Sequence, residues 1–297
     1  MKTIVSLILC LTIINQIDAQ QTKSFKTTDG ETLFYTTKGS GPKIIFLYGG
    51  PGIGAGPMRT WADSLSNKYD CIVFEQRGTG LSSNVKLDST TINLKRATHD
   101  LDDLRKHLGE KQLTLCGISW GGGLAQAYAS FFPENTKNIV LVCSLGPDLT
   151  LMSAFNDNMN MRRFPNERDS LKYWNKQPIS DFVKMKQKFF SFLPDFYDHN
   201  VGYKMLPRFF AAATFHDQMS DLMWMDLNKT YNLTLMLKNY HGQCTVIKTR
   251  QDVMPEETVY QIKSLLPQTE IRTIEKSGHF PDYERPKELF TILRQVL

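Results

Sequence analysis

The chain has 297 residues, 41% hydrophobic and 22% charged. That balance supports a full core without disulfide or metal staples and excludes intrinsic disorder. Its 35 basic and 30 acidic residues leave a net charge of +5 with no run of five like charges, so nucleic acid is not implied as a partner.

At the start, Lys2 precedes an apolar stretch over 4–14, and Ala19 offers a small residue for cleavage. This is the layout of a secretory signal peptide over 1–19. The stretch is shorter than the ~20 apolar residues that a membrane span needs. Leu9 is bulky where lipid attachment at Cys10 calls for a small residue. The expectation is export to a periplasm or the medium, with no membrane span after cleavage.

ETLFYTT (31–37) alternates behind an Asp29-Gly30 turn and reads as a hairpin strand. KIIFLY (43–48), CIVFE (71–75), LTLCGI (113–118), NIVLVC (138–143), CTVIKT (244–249) and EIRTI (270–274) are short strand-like runs. Between them lie helical patterns at 91–108, 120–132 and 255–266, and a last one at 285–297. The rhythm breaks over 151–230, which has one glycine (Gly202) and one glutamate (Glu167) but 8 of the 12 Met and 10 of the 18 Phe. These residues read as several helices inserted between two core strands. The expected fold is α/β: a mostly parallel eight-stranded sheet with helices on both faces. A core over 24–147 and 235–297 carries a helical cap over 148–234. Cys71, Cys116, Cys143 and Cys244 sit in or beside strand runs without a C-x-x-C partner, so they read as buried thiols rather than a metal or redox pair.

The strongest chemical signal is Gly117-Ile118-Ser119-Trp120-Gly121, a G-x-S-x-G turn between a strand and a helix. Such an elbow exposes the Ser119 hydroxyl at the carboxyl end of the sheet, in front of the first N–H groups of the helix. A nucleophilic serine needs a base, and the base needs an orienting acid, in the chain order Ser, Asp or Glu, His. Of the six histidines only His279 follows the last strand. Asp252 is the first carboxylate after CTVIKT, whereas Glu256 and Glu257 fall where a helix begins. Tyr48-Gly49-Gly50-Pro51-Gly52 ends a strand, and the Gly50 N–H could join the Trp120 N–H to hold an oxyanion.

Together Gly-Gly-Pro-Gly at 49–52, Glu75-Gln76-Arg77-Gly78-Thr79-Gly80-Leu81-Ser82 and Gly117-Ile118-Ser119-Trp120-Gly121-Gly122 resemble the proline iminopeptidase branch of the α/β-hydrolases. The likeness runs on through Leu124-Ala125 and Tyr128-Ala129 to Phe132-Pro133-Glu134. It implies serine chemistry on a short peptide or small amide, with no metal or cofactor expected and with roles falling on Ser119, Asp252, His279, Gly50 and Trp120. Three positions depart from the family pattern. Tyr48 stands where His is usual and Glu75 where Asp is usual. Where family members carry cap glutamates for the substrate amine, this chain reads Arg208-Phe209-Phe210-Ala211-Ala212, with Asp217, Asp221 and Asp226 further on. Tyr48, Phe209, Phe210, Asp217 and Asp221 are therefore the candidate substrate contacts. Three functions fit: an aminopeptidase, a carboxylic ester hydrolase with an apolar acyl pocket, or a non-catalytic ligand-binding relative.

Overall fold

The computed structural model describes residues 20–297, so the expected leader over 1–19, with Cys10, lies outside the described residues. Eight strands form one sheet: β1 (Gln21–Lys26), β2 (Thr32–Lys38), β3 (Lys43–Leu47), β4 (Asp70–Phe74), β5 (Leu113–Ile118), β6 (Thr136–Val142), β7 (Gln243–Thr249) and β8 (Glu270–Ile274). Their spatial order is β1-β2-β4-β3-β5-β6-β7-β8. The β1–β2 and β2–β4 pairs are antiparallel and all the others are parallel.

The apolar runs become central strands because both of their faces are covered. Side chains alternate along each strand: Ile45, Leu47, Ile72 and Leu115 join one hydrophobic cluster, Ile44, Phe46, Val73 and Cys116 the other. β1 has no apolar run to announce it. It is an edge strand in which only Phe25 is buried, and its pairing with β2 is a backbone matter.

Three helices flank the first half of the sheet: α1 (Arg59–Leu65), α2 (Leu94–His107) and α3 (Trp120–Phe131). α2 starts at Leu94, not at 91, because the Asn93 side chain accepts the Arg96 N–H at 2.8 Å and caps the helix. α2 and α3 pack on the first cluster, whereas Trp61 and Leu65 of α1 belong to the second.

Between β6 and β7 come α4 (Met152–Arg162), α5 (Pro165–Trp174), α6 (Asp181–Phe192), α7 (His199–Ala212) and α8 (Asp217–Thr230). Leu193, Phe196, Leu206 and Phe209 anchor this insertion in the second cluster, beside Leu289 and Leu293 of the last helix. Its Met and Phe content thus splits. Phe192, Phe209, Phe215 and Phe280 form a chain of ring contacts at 5.3–6.2 Å, while Met161 and Phe182 are exposed. Three helices complete the chain: α9 (Glu257–Leu265), α10 (Pro281–Glu284) and α11 (Pro286–Val296). The four cysteines among the described residues are buried and free. No helix among the described residues is long and apolar enough to cross a membrane.

Candidate active site

Parallel strands bring their carboxyl ends to one edge, and the loops after β3, β5, β7 and β8 meet there. After β5 the chain turns at Ser119 with φ 56° and ψ −123°, a backbone region that L-residues rarely occupy. Two glycines make the turn possible. A Cβ on Gly117 would lie 2.2 Å from the Gly121 carbonyl oxygen, and one on Gly121 would lie 2.0 Å from the Leu47 carbonyl oxygen. The elbow is therefore wedged between its own helix and β3, which pushes the Ser119 side chain outward. Trp120 opens α3, so its N–H has no acceptor within the helix.

The glycine loop after β3 touches the elbow: a Cβ on Gly49 would sit 3.0 Å from Ser119 Cβ. Gly50 has φ +121°, which a side chain would strain. The cap pins this loop through Gly54 N–H to the Thr214 carbonyl (2.9 Å) and His216 N–H to the Gly52 carbonyl (2.8 Å).

The segment after β4 supplies an unforeseen brace. The Gln76 side-chain amide donates to the Tyr48 carbonyl (3.0 Å), and its oxygen accepts the Trp120 indole N–H (2.9 Å). One side chain thus fixes the glycine loop relative to α3. Next to it, Arg77 forks onto Asp100 at 2.8 and 2.6 Å and reaches Asp29 at 2.9 Å. Glu75, where the resembled family has Asp, accepts the Ala55 N–H at 3.0 Å. Through these contacts Glu75, Gln76 and Arg77 hold the glycine loop, α3 and α2 together.

His279 follows β8, and its Nδ1 lies 2.7 Å from Asp252 Oδ1, on the loop after β7. Burial opposes charge on both groups, yet each stabilises the other. The Asp252 carboxyl is held below its ordinary value by His279, and His279 is pushed up to about 8 by Asp252, with smaller contributions from Asp195 and Asp282. Cys143, just after β6, completes a close group with Asp252 and His279, whose ligand atoms all lie within 4.8 Å of one another. Among the described residues these three are the donors grouped closely enough to hold a metal ion, but the Asp252–His279 hydrogen bond already engages two of them. Burial raises the Cys143 thiol well above its ordinary value, which favours the neutral S–H over the thiolate a metal would need.

A cavity of about 160 Å³ joins these parts. Tyr48, Gly49, Gly50, Ser119 and His279 line it, with an apolar wall that includes Phe155, Phe192, Phe209 and Phe280. Ser119 and His279 both line this cavity, without a hydrogen bond between Ser119 Oγ and the imidazole.

The cap residues expected to touch substrate divide. Phe209 and Tyr48 line the cavity, whereas Phe210 packs against Phe209 without lining it. Asp217 and Asp221 are exposed on α8 and lie away from the cavity, and Asp217 pairs with Lys188 at 2.7 Å. The direction in which α8 packs turns these aspartates to the surface. Glu167 is buried too, but it bonds His199 at 2.7 Å and caps α5 through the Phe164 N–H at 3.0 Å.

The carboxylate that does line the cavity is Asp195, between α6 and α7. It is 5% exposed. Burial pushes its carboxyl up to about 7, with His279, Arg162 and Arg163 opposing and Asp252 adding to the rise. Its side chain has no hydrogen-bond or ion-pair partner among the described residues. Little in the linear chain separates Asp195 from the other cap aspartates. The only hint is its place in Leu-Pro-Asp-Phe, an apolar setting unusual for an exposed residue.

A family model described as the alpha/beta hydrolase fold matches residues 42–286. Over 286 residues the chain is 23% identical to a proline iminopeptidase of Heyndrickxia coagulans, covering 91% of this chain and 96% of that protein. It is 37% identical over 124 residues to a proline iminopeptidase of Xanthomonas citri, a match spanning 40% of this chain and 38% of that one. Among solved structures it resembles an alpha/beta fold family hydrolase from Bacillus anthracis, with a TM-score of 0.71 at 18% identity over 94% of this chain and 99% of that one. A thermophilic esterase from Thermogutta terrifontis gives 0.67 at 19% identity over 93% and 97%. With the strand order, the elbow after β5 and the loops gathered at one sheet edge, these matches agree: the chain belongs to the α/β hydrolase fold family.

Proposed function

We propose that this hydrolase is an exported serine aminopeptidase of the proline iminopeptidase type. The observation that carries the reading is the Asp195 carboxylate, buried without a side-chain partner in the cavity that Ser119 and His279 also line. A buried carboxylate costs stability unless a cation meets it, and the α-ammonium of a peptide is such a cation. The Phe wall suits an apolar ring such as that of an N-terminal proline.

In this reading Ser119 Oγ attacks the scissile carbonyl while His279 Nε2 takes its proton. Asp252 holds the imidazole through Nδ1 and stabilises the imidazolium. The N–H groups of Gly50 and Trp120 receive the oxyanion, each worth roughly 3 kcal/mol if lost. His279 then protonates the leaving amine, and water repeats the sequence on the acyl-enzyme. Asp195 anchors the ammonium, the part that Asp217 and Asp221 are placed too far out to play.

The test is a comparison of a prolyl amide, its N-acetylated counterpart and an acyl ester. The reading expects turnover of the free amine, at least tenfold less of the blocked one, and none of either with Ser119→Ala. Indifference to the blocking group, together with fast ester turnover, would overturn it in favour of an ester hydrolase, which the apolar wall also accommodates. Export belongs to the same reading, and N-terminal sequencing of the mature protein should begin at Gln20.

A further inference from the structure

Glu284 lies in α10 and makes no contact with the cavity, yet its carboxylate is 8% exposed and accepts several backbone N–H groups. Oε2 receives the Gly278 N–H at 2.6 Å and the Tyr197 N–H at 3.2 Å, and Oε1 receives the Asp198 N–H at 2.9 Å. Gly278 precedes His279, whereas Tyr197 and Asp198 follow Asp195 by two and three positions. The two segments also meet directly. The His279 N–H donates to the Asp195 carbonyl at 2.6 Å. A Cβ on Gly278 would lie 2.2 Å from that same oxygen and 2.7 Å from the Tyr197 nitrogen. On its far side the His279 loop is tied to the loop of Asp252: the Gln251 N–H donates to the Ser277 carbonyl (3.1 Å) and the Ser277 N–H donates to Gln251 Oε1 (3.2 Å).

We propose that Glu284 is a positioning residue that locks the cap segment bearing Asp195 to the loop bearing His279, so that ammonium anchor and general base move as one body. The proposal rests on the assignment of Ser119, His279 and Asp195 made above. A carboxylate is required because both oxygens face donors; an amide at 284 would turn its own N–H₂ toward one of them. The charge strengthens each bond.

The groups facing His279 are Asp252 from the β7 loop, Asp195 from the cap, Asp282 from α10 and the Cys143 thiol just after β6, with Arg162 of α4 near Asp195 and Asp252. Releasing the seam lets Asp195 drift from His279 and withdraws one of the negative charges that favour the imidazolium.

The experiment measures the rate of Ser119 labelling by a fluorophosphonate across pH, for the native chain, Glu284→Gln and Tyr240→Phe. Tyr240 donates to the Gln243 carbonyl at 2.7 Å at the foot of β7, remote from the site, and controls for lost stability alone. Glu284→Gln is expected to label at least tenfold more slowly, with its pH midpoint moved down, while Tyr240→Phe keeps the native rate and midpoint. Labelling of Glu284→Gln at the native rate overturns the proposal, and so does slower labelling with an unmoved midpoint, which reports a structural loss. If Glu284→Gln does not fold, Gly278→Ala, which forces the same seam apart, is read by the same two criteria. A native chain that fails to label overturns the reading of the site itself; a labelled native chain with an unmoved Glu284→Gln overturns the positioning alone.

Discussion

The backbone carbonyl of Asp195 accepts the His279 N–H at 2.6 Å, while the Asp195 side chain faces the cavity. One residue of the cap thus holds the His279 backbone by its main chain and presents a buried carboxyl by its side chain. Asn at this position keeps the first role and loses the second. For Asp195→Asn we expect KM for a prolyl amide to rise at least tenfold, about 1.4 kcal/mol, with acyl ester turnover within a few-fold of native. Steady-state kinetics on the two substrates checks this, and an unchanged KM for the amide would remove Asp195 from the site.

The same substitution should stabilise the fold. A carboxyl whose value rises from 3.8 to about 7 on folding is penalised wherever it is ionised in the folded chain. Below about pH 4 it is neutral in both states and Asn gains nothing. The gain grows between about pH 4 and 7 and is full above that. Melting curves at pH 4 and pH 8 should show Asp195→Asn level with native at the first and higher by a few degrees at the second.

In the proposed mechanism His279 must be neutral to take the Ser119 proton. With its imidazole pushed up to about 8, kcat/KM should rise with pH and reach its plateau above that value. Asp252→Asn removes the charge that raises it and the acceptor that fixes its tautomer. The midpoint should then fall toward 6.5 or below, and kcat should drop by roughly 10⁴. A pH–rate profile of both proteins tests the pair; equal midpoints would mean that Asp252 does not control the base.

Gly121 tests the elbow. A Cβ there would lie 2.0 Å from the Leu47 carbonyl oxygen and 2.7 Å from that of Tyr48, both backbone atoms that cannot swing away. Gly121→Ala should cost about 2–4 kcal/mol of stability, the range of severe packing faults. It should also slow fluorophosphonate labelling, because α3 must withdraw from β3 and carry the Trp120 N–H with it. Chemical denaturation gives the first quantity and labelling kinetics the second.

Much of this protein can be read from the linear chain. Central strands show as continuous apolar runs because burial on both faces leaves no room for polar alternation, and seven of the eight strands can be read from such runs. Ser119 stands out because a strained turn needs its flanking glycines. Asp252 and His279 can be picked by order because the topology fixes which loops reach the carboxyl edge. β1 is different: an exposed edge strand is held by backbone bonds to β2, which leave no mark on composition.

What only the tertiary structure decides is which polar groups are buried and what they face. Asp195, Asp217 and Asp221 are alike in sequence, yet the first lines the cavity and the others meet solvent, because helix packing in the cap sets their direction. Gln76 and Glu284 are likewise unremarkable until folding brings backbone groups from distant segments within 2.6–3.2 Å of their side chains. Chain order and periodicity are local properties and survive in one dimension. The burial of a charge depends on everything packed around it, and that exists only once the cap has closed on the sheet.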